Sequence, residues 1–201
     1  MLMLKNTLSG ELEEFKPIKK GEVGMYNCGP TVYNYAHIGN LRAYVFSDIL
    51  KRTLKYNDYQ VTQVINITDV GHLTDEGLDK IEERAKEESK GVQDMANMYI
   101  KKFFEDLSEL NINVGDTIFP KASEHINEQI EMIEKLESRG FTYKTSDGIY
   151  FNTAEYIGYG KLGNINIDEL KEGARVEKNN EKKNMADFAL WKFSEKGVKR
   201  Q

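Results

Sequence analysis

The order strand, turn, helix, strand near the N-terminus constrains this chain more than any other feature. Val23 to Cys28 is a short apolar run stopped by Gly29-Pro30, which reads as a buried strand ending in a turn. From about Gly39 to Leu54, the residues Leu41, Tyr44, Val45 and Ile49 recur at helical spacing. Val61 to Ile67 is β-branched and alternating, a second strand. Such a βαβ unit has parallel strands, because parallel neighbours need a crossover where antiparallel ones need only a tight turn. The chain therefore opens an α/β fold, and ligands of such folds sit beyond the carboxyl ends of the strands.

The charged stretch Asp79 to Lys90 reads as a solvated helix face. An amphipathic helix follows, with Val92, Met95, Ala96, Tyr99, Phe103, Leu107 and Leu110 on one side. Its Met and Phe positions are core rather than a cofactor box. Ser123 to Arg139 is a further helix, with Ile126, Ile130 and Ile133 on one side and Gly140 as its stop. Asp147-Gly148 between two β-rich runs is a hairpin signal, and Phe188 to Trp191 is a last apolar run. Residues 1–118 are expected to form half of a doubly wound α/β domain, and 119–201 a smaller α+β insertion. The chain stops at Lys199-Arg200-Gln201 without an obvious closing element. Missing sheet partners are expected to leave an apolar edge exposed, with modest stability or self-association.

Composition narrows the function classes. With 201 residues, 39% hydrophobic and 30% charged, the chain suits one or two globular domains with a real core. A single cysteine excludes an internal disulfide framework and points to a reducing compartment. The N-terminal MLMLKNTLSGELEEF has no long apolar run, so neither a signal peptide nor a membrane span is expected, and a cytoplasmic location is. The net charge of -5 argues against a free-standing RNA-binding module, whose affinity comes largely from basic groups. An enzyme meeting RNA through a local patch remains open.

The densest chemistry lies in Cys28-Gly29-Pro30-Thr31-Val32-Tyr33-Asn34-Tyr35-Ala36-His37-Ile38-Gly39-Asn40. Cys28 falls at a strand end and His37 to Asn40 at a helix start. Backbone N–H groups there, with the positive end of the helix dipole, favour phosphate. Gly39 permits close approach of a nucleotide, and His37 is placed to donate to phosphate oxygens. Taken singly, such a histidine is more often a surface or capping residue, and a lone cysteine more often buried filler. The spacing as a whole resembles the start of cysteinyl-tRNA synthetases, a family of class I synthetases. Asn66-Ile-Thr-Asp69, Lys121-Ala-Ser-Glu-His125-Ile, Gly173-Ala-Arg-Val176 and Asp187-Phe-Ala-Leu-Trp-Lys192 are similar to further blocks of that family, in the same order.

The resemblance implies the first half of a Rossmann-like nucleotide-binding domain of the class with a His-x-Gly-His signature, followed by a connective insertion. It implies activation of cysteine with ATP and Mg²⁺ to cysteinyl adenylate, then transfer to the cysteine tRNA. His37 and Asn40 would be catalytic, and His37, Gly39 and Asn40 would bind ATP. Cys28, Gly29, Thr31 and Thr68 would bind cysteine, with Cys28 also a zinc ligand. Zinc favours a soft thiolate over a hydroxyl, which would separate cysteine from serine. Asn40 replaces the second histidine of the commoner signature; it still donates but carries no charge. The other zinc ligands, the Lys-Met-Ser-Lys-Ser loop and the anticodon-binding region of the family lie beyond Gln201. The isolated chain is therefore expected neither to make adenylate at a useful rate nor to hold zinc tightly. A separate chain supplying the second half is a partner this reading allows.

Two other enzyme readings and one non-enzyme reading stay open. Nucleotidyltransferases with a His-x-Gly-His signature leave Cys28-Gly-Pro-Thr31 without a reason. A ligase joining cysteine to an amino-sugar resembles the synthetases throughout this half. A truncated, non-catalytic paralogue would keep the fold and bind a nucleotide or a partner. His72 is a lesser candidate for lining the pocket, and His125 is expected to be structural. Tyr33 and Tyr35 either flank the site or only pack. Lys178 to Lys183 reads as a solvated loop, with tRNA contact the lesser alternative. The decisive expectation is spatial: the Cys28 thiol and the His37 imidazole should meet at one crevice.

Overall fold

A computed structural model describes residues 1–71, 91–163 and 180–194. The charged stretch Asp79–Lys90, His72, Gly173–Val176, the start of the Lys178 loop and Lys199–Gln201 lie outside the described residues. The chain divides into two compact units, one of Met1–Leu2 with Phe15–His125, the other of Met3–Glu14 with Ile126–Gln201.

The first unit is built on three parallel strands in the order β3-β4-β5, namely β3 (Glu22–Asn27), β4 (Gln60–Ile65) and β5 (Thr117–Ile118). The crossover from β3 to β4 is α1 (Ile38–Tyr56), and α2 (Val92–Glu109) lies in the segment between β4 and β5. β3 and β4 pair in full register, from Glu22↔Gln60 to Asn27↔Ile65. The parallel α/β layer expected from the strand–helix–strand order is present. β5 was not legible, because two residues are too short to show alternation.

Burial follows the helical periodicity. α2 buries Met95, Ala96, Tyr99, Phe103 and Leu107 on one face. Met95, Ala96 and Tyr99 pack with Val32 and Ile67; Phe103 and Leu107 pack with Tyr44 and Ile65. Val92 and Leu110, at the two ends of the helix, remain partly exposed. α1 is less regular. It buries Tyr44 and Leu54 together with the polar Ser47, Asp48 and Lys51. Lys51 ends in an ion pair with Asp116 and donates to Thr117 Oγ1 at 2.7 Å. Thr117 Oγ1 donates to Gln63 Oε1, and Gln63 Nε2 donates to Asn27 Oδ1. A polar chain thus runs under α1 across all three strands. Other apolar residues of this unit, Tyr26 on β3 and Phe46 and Ile49 on α1, stay more than half exposed.

The second unit carries the hairpin β1 (Met3–Lys5) and β2 (Leu12–Glu14), which the sequence reading did not contain. It also carries α3 (Ile126–Ser138) and the antiparallel sheet β6 (Thr142–Lys144), β7 (Gly148–Phe151) and β8 (Phe188–Lys192). The helix expected from Ser123 to Arg139 begins as a 3-10 turn, Ala122–His125, and continues as α3. Gly140 ends it at φ 80°, a left-handed conformation that glycine adopts without steric cost.

The Asp147-Gly148 hairpin forms, but its turn is displaced. Gly148 is already in β7, and the loop is closed by Thr145 N–H donating to Gly148 O at 2.9 Å. Gly148 is needed for closeness rather than for a turn conformation: a Cβ there would overlap the Trp191 carbonyl oxygen. Asp187 holds this unit together. Its buried carboxylate accepts from Thr153 N–H (2.9 Å) and Oγ1 (2.7 Å), Tyr143 Oη (2.8 Å) and Asn184 N–H (2.9 Å). Burial pushes the carboxyl up, but these donors outweigh it and hold Asp187 below the usual carboxylate range. Lys192, at the other end of the Asp187–Lys192 block, pairs with Asp147 and donates to Tyr150 Oη at 2.8 Å.

Candidate active site

The two strand ends approach so closely that only glycine fits between them. A Cβ on Gly29 would overlap the Asn66 carbonyl oxygen and stand 2.6 Å from its carbon. Beyond the strands the chains stay paired through a parallel bridge between Thr31 and Thr68. Thr68 N–H donates to Pro30 O at 2.9 Å, and Val32 N–H donates to Thr68 O at 3.2 Å. Asn66 adds a side-chain bracket, accepting from Gly29 N–H at 2.8 Å and donating to Thr68 Oγ1 at 3.1 Å. Ile67 bridges onward to Lys121, and the buried Asp69 carboxylate accepts from Ser123 N–H (2.9 Å) and Oγ (2.6 Å). The Asn66–Asp69 block therefore joins the Cys28–Thr31 turn to Lys121, Ala122 and Ser123.

His37 is the N-cap of α1. Its Nδ1 accepts from Gly39 N–H at 3.1 Å and from Asn40 N–H at 3.4 Å, while Asn40 Oδ1 accepts from His37 N–H at 3.1 Å. This reciprocal arrangement is a capping box with a histidine and an asparagine in the usual Ser/Thr and Glu/Gln places. It corrects the expectation that the backbone N–H groups of this turn wait for phosphate: those of Gly39 and Asn40 are already engaged. Further donors at this turn are on the side chains. A ring nitrogen that accepts carries no proton, so the neutral imidazole has its hydrogen on Nε2. Asn40, with its oxygen engaged, likewise presents its Nδ2. Gly39 leaves room for the cap, because a Cβ there would stand 2.9 Å from His37 Cε1 and push the ring aside.

Between the Gly29–His37 loop and the helices lies a cleft of about 230 Å³. Gly29, Thr31, His37 and Asn40 line it, as do Tyr33 and Tyr35. Cys28, Gly39 and Thr68 are not on its wall but adjoin it through residues that are. Cys28 is exposed, next to Gly29, and its Sγ lies 3.9 Å from Gly29 O. The wall also takes Tyr44 from α1 and Tyr99, Lys102 and Phe103 from α2. The sequence reading placed Tyr99 and Phe103 on the apolar helix face and did not single out Lys102. The helical spacing did make that face visible, but a ring can belong to a core and to a cleft at once. Burial above all pushes the Tyr44 phenol up to about 12. Among the described residues no carboxylate lines the cleft, and Lys102, which pairs with Glu105, reaches its wall. His125, expected to be structural, only meets Lys121 O through Nδ1 at 2.9 Å.

Among the described residues no three His, Cys, Asp or Glu side chains converge as a metal site would require. Cys28 alone offers one of the four donors of a zinc site. Nor, among the described residues, is any helix long and apolar enough to cross a membrane.

Residues 14–200 match the model of the tRNA synthetases class I (C) catalytic domain. The chain belongs to that family. It is 51% identical over 193 residues to a cysteine–tRNA ligase of Treponema denticola, covering 94% of this chain and 39% of that protein. It is 44% identical over 197 residues to a cysteine–tRNA ligase of Pyrococcus furiosus, covering 98% and 40%. To cysteine–tRNA ligase 1 of Burkholderia lata it is 47% identical over 203 residues, covering 100% and 43%. The chain thus spans about two fifths of the length of these relatives. The synthetase family match includes the strand-end bracket, the capped helix and the Asp187–Lys192 block. The parallel sheet is the partial Rossmann-like fold expected of a class I synthetase.

Proposed function

We propose that this chain is the N-terminal part of the catalytic domain of a cysteine–tRNA ligase. The complete protein would join cysteine to ATP, releasing pyrophosphate and forming cysteinyl adenylate. It would then pass the cysteinyl group to the terminal ribose of the cysteine tRNA, releasing AMP. The observation that carries the reading is the capped helix start at the cleft, in a chain 51% identical to a cysteine–tRNA ligase over 94% of its length.

The chemistry asked of this half is positioning and charge stabilisation. In-line attack of a carboxylate on the α-phosphate develops charge on phosphate oxygens, and preorganised donors meet it without reorganising. His37 Nε2–H and Asn40 Nδ2–H are the donors for those oxygens, with Gly39 keeping the imidazole in place. ATP enters with Mg²⁺ as the substrate complex. Cys28, Gly29, Thr31 and Thr68 take the amino acid. Cys28 enters the zinc question as one thiol donor, and no step of this reading runs through a metal. The 201 residues alone would form adenylate poorly; the remaining three fifths, on the same chain or another, would supply the rest of the site.

The test is cysteine-dependent ATP–pyrophosphate exchange by the complete gene product, followed by charging of the cysteine tRNA. Exchange lost in Cys28→Ala and retained charging in the parent support the reading. Exchange that ends on an amino-sugar instead of tRNA, or no exchange at all, overturns it.

A further inference from the structure

Asn66 has a role that neither the capped helix nor the cysteine pocket explains. Its amide meets two groups whose chemistry fixes its orientation. Gly29 N–H can only donate, so the partner at 2.8 Å must be the amide oxygen. The NH₂ group then faces Thr68 Oγ1 at 3.1 Å, and it too can only donate. The Thr68 hydroxyl therefore accepts from Asn66, and its own proton points elsewhere. Among the described residues no acceptor takes that proton. The Thr68 backbone is meanwhile tied to Pro30 and Val32, two residues of the cleft wall.

We infer that Asn66 is a positioning residue for the amino-acid half of the cleft. It holds the Gly29 backbone beside Cys28 and presets the Thr68 hydroxyl, which adjoins the cleft wall behind Pro30 and Val32, as a donor to the carboxylate of an amino acid bound at that edge. This rests on the functional reading above. Asn66 touches no substrate; it acts through Thr68 and Gly29.

Asn66→Asp separates the two duties. An aspartate still accepts from Gly29 N–H, but its second oxygen also accepts, so the Thr68 proton turns inward. Thr68→Val removes the donor outright. In the complete gene product, each variant should raise the KM for cysteine about tenfold and leave the KM for ATP within about twofold. The double variant should be no worse than Thr68→Val alone, since both remove the same donor. Amide exchange at Gly29 should stay slow in Asn66→Asp, which checks that the bracket survives. An unchanged KM for cysteine, additive losses in the double variant, or both KM values rising together would overturn the inference while leaving the functional reading intact. Absence of cysteine-dependent exchange in the parent protein would bring down the functional reading and this inference with it.

Discussion

Both units turn polar side chains inward, but the first also holds polar side chains at its strand and helix ends. In the second unit they turn inward: Asp187 collects donors from Tyr143, Thr153 and Asn184, and Lys192 closes on Asp147 and Tyr150. In the first unit many stand at strand and helix ends. There the bonds leave something over, a proton on His37 Nε2, an NH₂ on Asn40, a hydroxyl on Thr68. Exposed apolar groups do not separate the units: Tyr26, Phe46 and Ile49 of the first and Leu12, Met132 and Ile157 of the second are all more than half exposed. The difference in polar groups teaches where the chemistry lies. A side chain that satisfies all its neighbours stabilises a fold, and one that satisfies all but one is ready for a ligand.

The largest expected effect bears on the strand-end crossing of the first unit. Gly29→Ala puts a methyl group into the Asn66 carbonyl, so β3 and β4 must separate where they are fully paired. A loss of more than about 3 kcal/mol is expected. Urea unfolding measures it, and residue-resolved hydrogen exchange should show lost protection at Ile65 with Tyr150 little changed. Equal loss at both residues would erase the distinction between the units. Asp187→Ala reverses the pattern. It strands buried donors from three residues, at a cost of about 3 kcal/mol, and should lower protection at Tyr150 first. A variant as stable as its parent would show that this carboxylate is not what holds the second unit together.

Gly39→Ala sharpens the comparison at smaller cost. Alanine favours the helix interior by about 1 kcal/mol over glycine, while losing the histidine cap costs about the same. Stability should barely move. Exchange activity of the complete protein should nevertheless fall at least about tenfold, because His37 is displaced. Parallel loss of stability and activity would make the glycine merely structural.

The smallest effect is one of pH. Hydrogen bonds from Lys51 and Lys55 hold the Asp116 carboxyl down to about 2. A depressed folded value means that this stabilisation is complete above about pH 4 and is lost as the pH falls toward 2. Asp116 is partly exposed, so the contribution is modest. Asp116→Asn should flatten the acid limb of stability for the first unit only, since Asp147 and Asp187 act in the second. An unchanged limb at Ile65 would remove Asp116 from the account.

Sequence alone determined the strand–helix–strand order, the core face of α2 and the placement of Cys28 and His37 at the ends of regular elements. These depend on periodicity and on local turn and cap chemistry, which neighbours along the chain decide. It could not find β5, the β1–β2 hairpin or the displaced turn at Gly148, because segments of two to four residues take their conformation from partners distant in sequence. Nor could it tell why Gly29 is glycine, since the group it avoids is 37 residues away. Tertiary structure alone decided that Asn66 faces Gly29 and Thr68, that His37 spends one nitrogen on its own helix, and that Tyr99 and Lys102 reach the cleft. Hydrogen-bond direction depends on which donor meets which acceptor in space, and that is settled only when the strands are side by side.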